Sequence, residues 1–73
     1  MATRFSWKMF NGPYRPRTYK LNYGGVALAT AQETRGDLWF WYGDGVNTAS
    51  RPDSLENVKA EAIAHFRGKK NMA

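Results

Sequence analysis

Apolar and polar positions alternate with a period of two along much of the first half of this chain. Over Arg4-Phe5-Ser6-Trp7-Lys8-Met9-Phe10, the residues Phe5, Trp7 and Met9 fall on one side and Arg4, Ser6 and Lys8 on the other. That spacing predicts a strand. The same stretch fits an extended arm over residues 1–18 that orders on contact. Asn11-Gly12-Pro13 then marks a turn, and Pro13 and Pro16 bar a helix or a central strand through this region. Residues 19–23 fit a strand, Gly24-Gly25 a bulge or bend, and residues 26–31 a second strand in which Val26, Leu28 and Thr30 alternate with alanines. The polar stretch 32–37 closes a hairpin.

The next segment, Leu38-Trp39-Phe40-Trp41-Tyr42, sets large side chains in a row. As a strand it points rings at both faces of a sheet: Leu38, Phe40 and Tyr42 at one, Trp39 and Trp41 at the other. Gly43-Asp44-Gly45 ends it in a tight turn, and residues 46–49 fit a short returning strand.

After Pro52 the period changes. Asp53 suits a helix N-cap with Glu56 three positions on, and Leu55, Val58, Ala62 and Phe66 form one apolar stripe, widened by Ile63. Glu56 and Lys59 are spaced to pair, as are Glu61 and His65. Gly68 suits the position just past the helix, and Arg67, Lys69 and Lys70 complement its C-terminal dipole. Residues 69–73 read as a disordered basic tail. The expected fold is α+β: one small domain over residues 1–73, an antiparallel sheet of three to four strands with one C-terminal helix packed on it. With a single helix, the stripe is expected to cover Leu38, Phe40 and Tyr42. The tryptophan pair is then left to Phe5, Trp7 and Met9, folded back over it, with Ala27, Ala29 and Ala31 alongside.

Composition narrows the functional classes. Seventy-three residues allow only a small core. The absence of cysteine excludes disulfides and thiolate metal sites, and a single histidine disfavours an all-protein zinc site. No apolar leader or membrane-length run is present, so a soluble cytoplasmic protein without a membrane partner is the default expectation. Lys and Arg number 11 against 6 Asp and Glu. The first twenty residues carry Arg4, Lys8, Arg15, Arg17 and Lys20 and no acid, and the C-terminal end is basic again. Basic ends around a mildly acidic middle attract an acidic partner.

Catalytic signatures are missing. No nucleophile stands in a recognisable setting and no glycine-rich phosphate loop precedes a helix. His65 reads as a solvated helix-end residue, and Asp37 and Asp44 as turn residues. The expectation is a binding protein that is not an enzyme and needs no metal or cofactor. Two binding modes compete. In the first, Trp39, Trp41 and Trp7 stack unpaired bases while Lys20, Arg15, Arg17, Arg67, Lys69 and Lys70 hold phosphates. In the second, a basic aromatic arm of hot-spot composition docks on a protein. Its contact residues are Arg4, Phe5, Trp7, Lys8, Phe10, Tyr14, Arg15 and Arg17, with Arg67, Lys69 and Lys70 meeting nucleic acid or an acidic surface.

The start Met1-Ala2-Thr3-Arg4-Phe5, the aromatic strand 38–42 and the helix 53–66 with its basic tail together resemble the small transcription regulators through which lytic phages, such as one infecting Xanthomonas, bind host RNA polymerase. The likeness is one of length and overall character across the whole chain, carried by no motif. It implies binding to the N-terminal region of the polymerase β′ subunit near the RNA exit channel, in the host cytoplasm. Initiation would be inhibited and termination suppressed, with the basic helix end near nascent RNA.

Overall fold

The computed structural model describes residues 4–10, 12–13 and 15–72, with side chains described through residue 68. Five strands and one helix follow one another: β1 (Phe5–Met9), β2 (Thr18–Tyr23), β3 (Val26–Glu33), β4 (Trp39–Gly43), β5 (Val46–Asn47) and α1 (Leu55–Met72). The strands form one antiparallel meander in the order β1-β2-β3-β4-β5, and α1 packs on β4 and β3. This is the expected α+β architecture, with residues 46–47 supplying the fifth, very short strand. Among the described residues no helix is long and apolar enough to cross a membrane.

Each hairpin follows its turn chemistry. Gly24 and Gly25 both have positive φ, 61° and 82°, as a two-residue turn of the mirror-image kind requires. The irregularity in the β2–β3 ladder falls inside it, at Leu21/Asn22, and not at the glycines. Asp44 and Gly45 turn in the same way, with φ of 52° and 79°. Gly43 serves a different need. A Cβ there would lie 2.7 Å from the Leu28 carbonyl oxygen and 3.0 Å from Ala29 Cα, so the residue lets neighbouring backbones close up.

Register sorts the side chains into two faces. Trp7 lies opposite Leu21, Leu21 opposite Ala29, Tyr19 opposite Ala31, and Ala31 opposite Trp41. These residues form the inner face. Leu21, Ala29, Ala31, Trp39 and Trp41 are buried there with Val58, Ala62 and Phe66 of the helix. The expected assignment of the aromatic strand is therefore inverted. Helix α1 covers Trp39 and Trp41, while Leu38 and Tyr42 are both 39% exposed. The reason is volume and polarity: alanines 29, 31 and 62 make room for two indoles between sheet and helix. Phe40 and Tyr42 instead have Gln32 and Thr30 as partners, which belong to a solvated face. Phe5 and Trp7 lie beside the tryptophan pair in the same sheet and do not fold over it.

The helix also begins and ends differently from expectation. Its N-cap is Ser54, whose hydroxyl accepts from the Asn57 N–H at 3.3 Å while its carbonyl accepts from the Val58 N–H at 2.9 Å. Asp53 is held back by the sheet, exchanging both backbone hydrogen bonds with Trp39 at 2.7 and 2.9 Å. Gly68 lies within the helix, which continues to Met72. Glu61 pairs with Arg51 at 2.6 Å, and His65 with Asp44 at 2.9 Å, in place of the Glu61–His65 pair.

Candidate nucleic-acid interface on the outer sheet face

Helix α1 covers one face of the sheet, and among the described residues no element covers the other. Successive residues alternate between faces, so the outer positions are Ser6 and Lys8 on β1, Thr18, Lys20 and Asn22 on β2, Thr30 and Gln32 on β3, and Phe40 and Tyr42 on β4. Phe10, just beyond β1, joins them: its N–H donates to the Thr18 carbonyl at 2.9 Å, and Lys20 Nζ lies 4.8 Å from its ring centroid. None of these positions is a carboxylate.

The aromatic groups stand at opposite sides of this face. Phe40 and Tyr42 are neighbours on β4, with ring centroids 6.0 Å apart. Phe10 stands at the β1 side, 65% exposed. Thr18 and Thr30, both buried, form part of the floor between. Beside Phe10, a recess of about 340 Å³ is lined by Lys8, Met9, Phe10, Lys20 and Asn22. Lys8 and Lys20 are direct cross-strand partners. Like charges placed so repel each other, and an anion between them relieves the repulsion.

The residues expected to make contacts are dispersed by the fold. Arg4 is exposed just before β1, and Lys8 and Phe10 are exposed on the outer face. Phe5 and Trp7 are half-buried on the inner face. Phe5 meets Tyr23 at 4.7 Å and lies under Arg67 at 6.0 Å, and Trp7 lies under Lys59 at 5.6 Å. The expected stacking platform of Trp39, Trp41 and Trp7 is thus not available: the first two rings are in the core and the third faces the helix side. Tyr14 and the side chains of Lys69 and Lys70 lie outside the described residues.

Arg15 and Arg17 are engaged within the protein. Arg15 Nη1 donates to Glu33 Oε2 at 2.6 Å, the Arg17 backbone N–H donates to Oε1 at 3.1 Å, and Arg17 Nη2 lies 3.5 Å from Oε2. Glu33 has only 6% of its side chain exposed. The Arg17 backbone N–H, with help from the two guanidinium groups, outweighs desolvation and holds this carboxyl below the usual glutamate range. These arginines therefore pin the β1–β2 connection to the end of β3, and their reading as free partner-binding cations is corrected.

Phe40 and Tyr42 were misplaced by sequence reasoning, which gave them to the helix. The signal that finds them is the polarity of their neighbours: β2 and β3 offer Thr18, Lys20, Thr30 and Gln32 on one side and Leu21, Ala29 and Ala31 on the other. Comparison with protein families, with curated proteins and with solved structures gives no match for this chain.

Proposed function

We propose that the protein is a non-catalytic module that binds single-stranded nucleic acid on its outer sheet face. One observation carries this reading: exposed aromatic rings and two lysines share a helix-free sheet face on which no carboxylate stands. Unpaired bases stack on such rings whatever their sequence, and lysines beside them hold the backbone. A net charge of +5 assists approach. The test is fluorescence anisotropy of a labelled single-stranded oligonucleotide. Binding should weaken steeply as salt rises and should fall when Phe40 and Tyr42 are both replaced by Ala. No anisotropy change at low salt overturns the reading.

A second reading is favoured by the sheet edges. The far side of β4 is paired along its length, with Asp53, Thr48 and β5. Among the described residues β1 is the long strand whose outer edge is unpaired, and Arg4 and Lys8 flank it. An edge of this kind adds to a partner protein by strand pairing. Bacterial RNA polymerase, through its β′ subunit, is the partner that the resemblance to phage transcription regulators suggests, with inhibited initiation and suppressed termination as the consequence. Retention of the protein on immobilised, nuclease-treated polymerase, weakened by Arg4→Glu, tests this reading.

A further inference from the structure

We infer that the outer face holds its strand across the β-strands, with a base on Phe10 at one end, a base on Phe40–Tyr42 at the other, and a phosphate gripped between Lys8 and Lys20. This rests on the nucleic-acid reading above and gives it a direction and a length.

The register supplies the path. Phe10 bonds to Thr18, Thr18 pairs with Gln32, and Gln32 pairs with Phe40. A parallel row runs Lys8, Lys20, Thr30, Tyr42. Each row crosses four strands, so its two ends are three inter-strand spacings apart, about 14 Å. The rows have different chemistry. The first sets an aromatic ring at each end with Thr18 and Gln32 between them. The second sets two cations at the β1 end and the phenol of Tyr42 at the β4 end.

A single strand laid along the rows places bases on the terminal rings and its backbone by the lysine pair. A path along the β-strands could engage Phe10 or the β4 rings, but not both. The lysines mark the anion position. They are partners on adjacent strands, Lys20 leans over the Phe10 ring, and both line the same recess as Asn22. Thr18 adds a polar group on the floor: it is 7% exposed, and among the described residues its hydroxyl has no protein partner. An acidic protein surface could satisfy the two lysines, but it offers no flat rings for Phe10 and Phe40 at that separation. The span suits only a few nucleotides, the low end of the range of roughly 4 to 16 known for compact single-strand binders.

The experiment is a length series of oligothymidylates, dT2 to dT10, bound to the wild-type protein and two variants at several salt concentrations. Phe10→Ala removes an exposed ring. The double variant Lys8→Ser, Lys20→Ser removes the cation pair. Thermal unfolding confirms that both variants fold. For the wild type, affinity should climb with length up to about four nucleotides and then level off. Phe10→Ala should lose roughly tenfold or more on the longer oligomers while leaving dT2, which reaches only the β4 rings, unchanged. The lysine variant should flatten the slope of log affinity against log salt by about 1.4, or 0.7 for each lost contact. Affinity independent of length, or variants indistinguishable from wild type on every oligomer, overturns the crossing path while leaving nucleic-acid binding standing. Equal displacement of dT10 by a polyglutamate of the same charge also overturns it, since the face would then be a general acidic-surface site. No binding of any oligomer overturns both this inference and the reading beneath it.

Discussion

Ala31 and Trp41 are direct partners across the β3–β4 ladder, and both are essentially without solvent exposure, at 0% and 1%. The methyl group leaves the space that the indole fills, and Ala62, also at 0%, does the same from the helix. Enlarging either alanine forces overpacking, while truncating the tryptophan opens a cavity. Ala31→Leu should destabilise the protein by about 1–3 kcal/mol, and Trp41→Ala by about 3–5 kcal/mol. A domain of this size has roughly 4–11 kcal/mol in all, so Trp41→Ala should show a much lower denaturant midpoint. Tyr42→Ala, one residue along on the outer face, should cost far less. Equal losses at positions 41 and 42 would contradict the assignment of faces.

Glu33 makes acid stability informative. Its folded-state pKa lies below its ordinary value of 4.5. The stabilisation it contributes is therefore fully present above about that pH, and is lost as pH falls through the lower folded value. Glu33→Gln should unfold at a lower temperature than wild type at neutral pH. The gap between the two melting temperatures should close below the ordinary glutamate range. A gap independent of pH would show that the clamp to Arg15 and Arg17 contributes nothing through charge.

At Gly43 the constraint is backbone contact. Gly43→Ala should destabilise because its Cβ meets the Leu28 carbonyl oxygen at 2.7 Å and φ is 149°. Gly45→Ala is a useful contrast: nothing lies within 4 Å, so only the positive φ resists it. Urea midpoints of the two variants should order as Gly43→Ala below Gly45→Ala.

The ion pair of Arg51 with Glu61, made by two contacts of 3.1 and 2.6 Å, is largely solvated, with side chains 63% and 42% exposed. Such pairs contribute at most about 1 kcal/mol. Glu61→Gln should therefore change the urea midpoint only slightly. Ser54→Ala should cost about 1 kcal/mol through loss of the N-cap, which makes it the more sensitive of the two sites.

Strand order, turns and the apolar stripe of the helix are legible in the sequence because each rests on local chemistry: period two, glycine pairs with positive φ, and spacing of three to four. The cap shifted from Asp53 to Ser54 because Asp53 pairs with Trp39, a tertiary contact that local capping rules do not contain. Gly68 did not end the helix, since a glycine alone is not a stop. The face of the aromatic run was the costliest error. Trp39-Trp41 and Phe40-Tyr42 are both apolar, so the run itself cannot say which pair is buried; only the partners Ala31 and Thr30 on the adjacent strand decide it. The engagement of Arg15 and Arg17 by Glu33 was likewise hidden, because those residues meet only once β2 and β3 pair.

The most direct test of the central claim is a backbone and side-chain NMR titration of the protein with a short single-stranded oligonucleotide at low salt. Shift changes should concentrate on Phe10, Lys20, Thr30, Gln32, Phe40 and Tyr42, and leave the outward side of α1 undisturbed. Changes confined to α1 or to the inner-face residues Trp7 and Tyr19, or no changes at saturating oligonucleotide, would contradict a nucleic-acid interface on the outer sheet face.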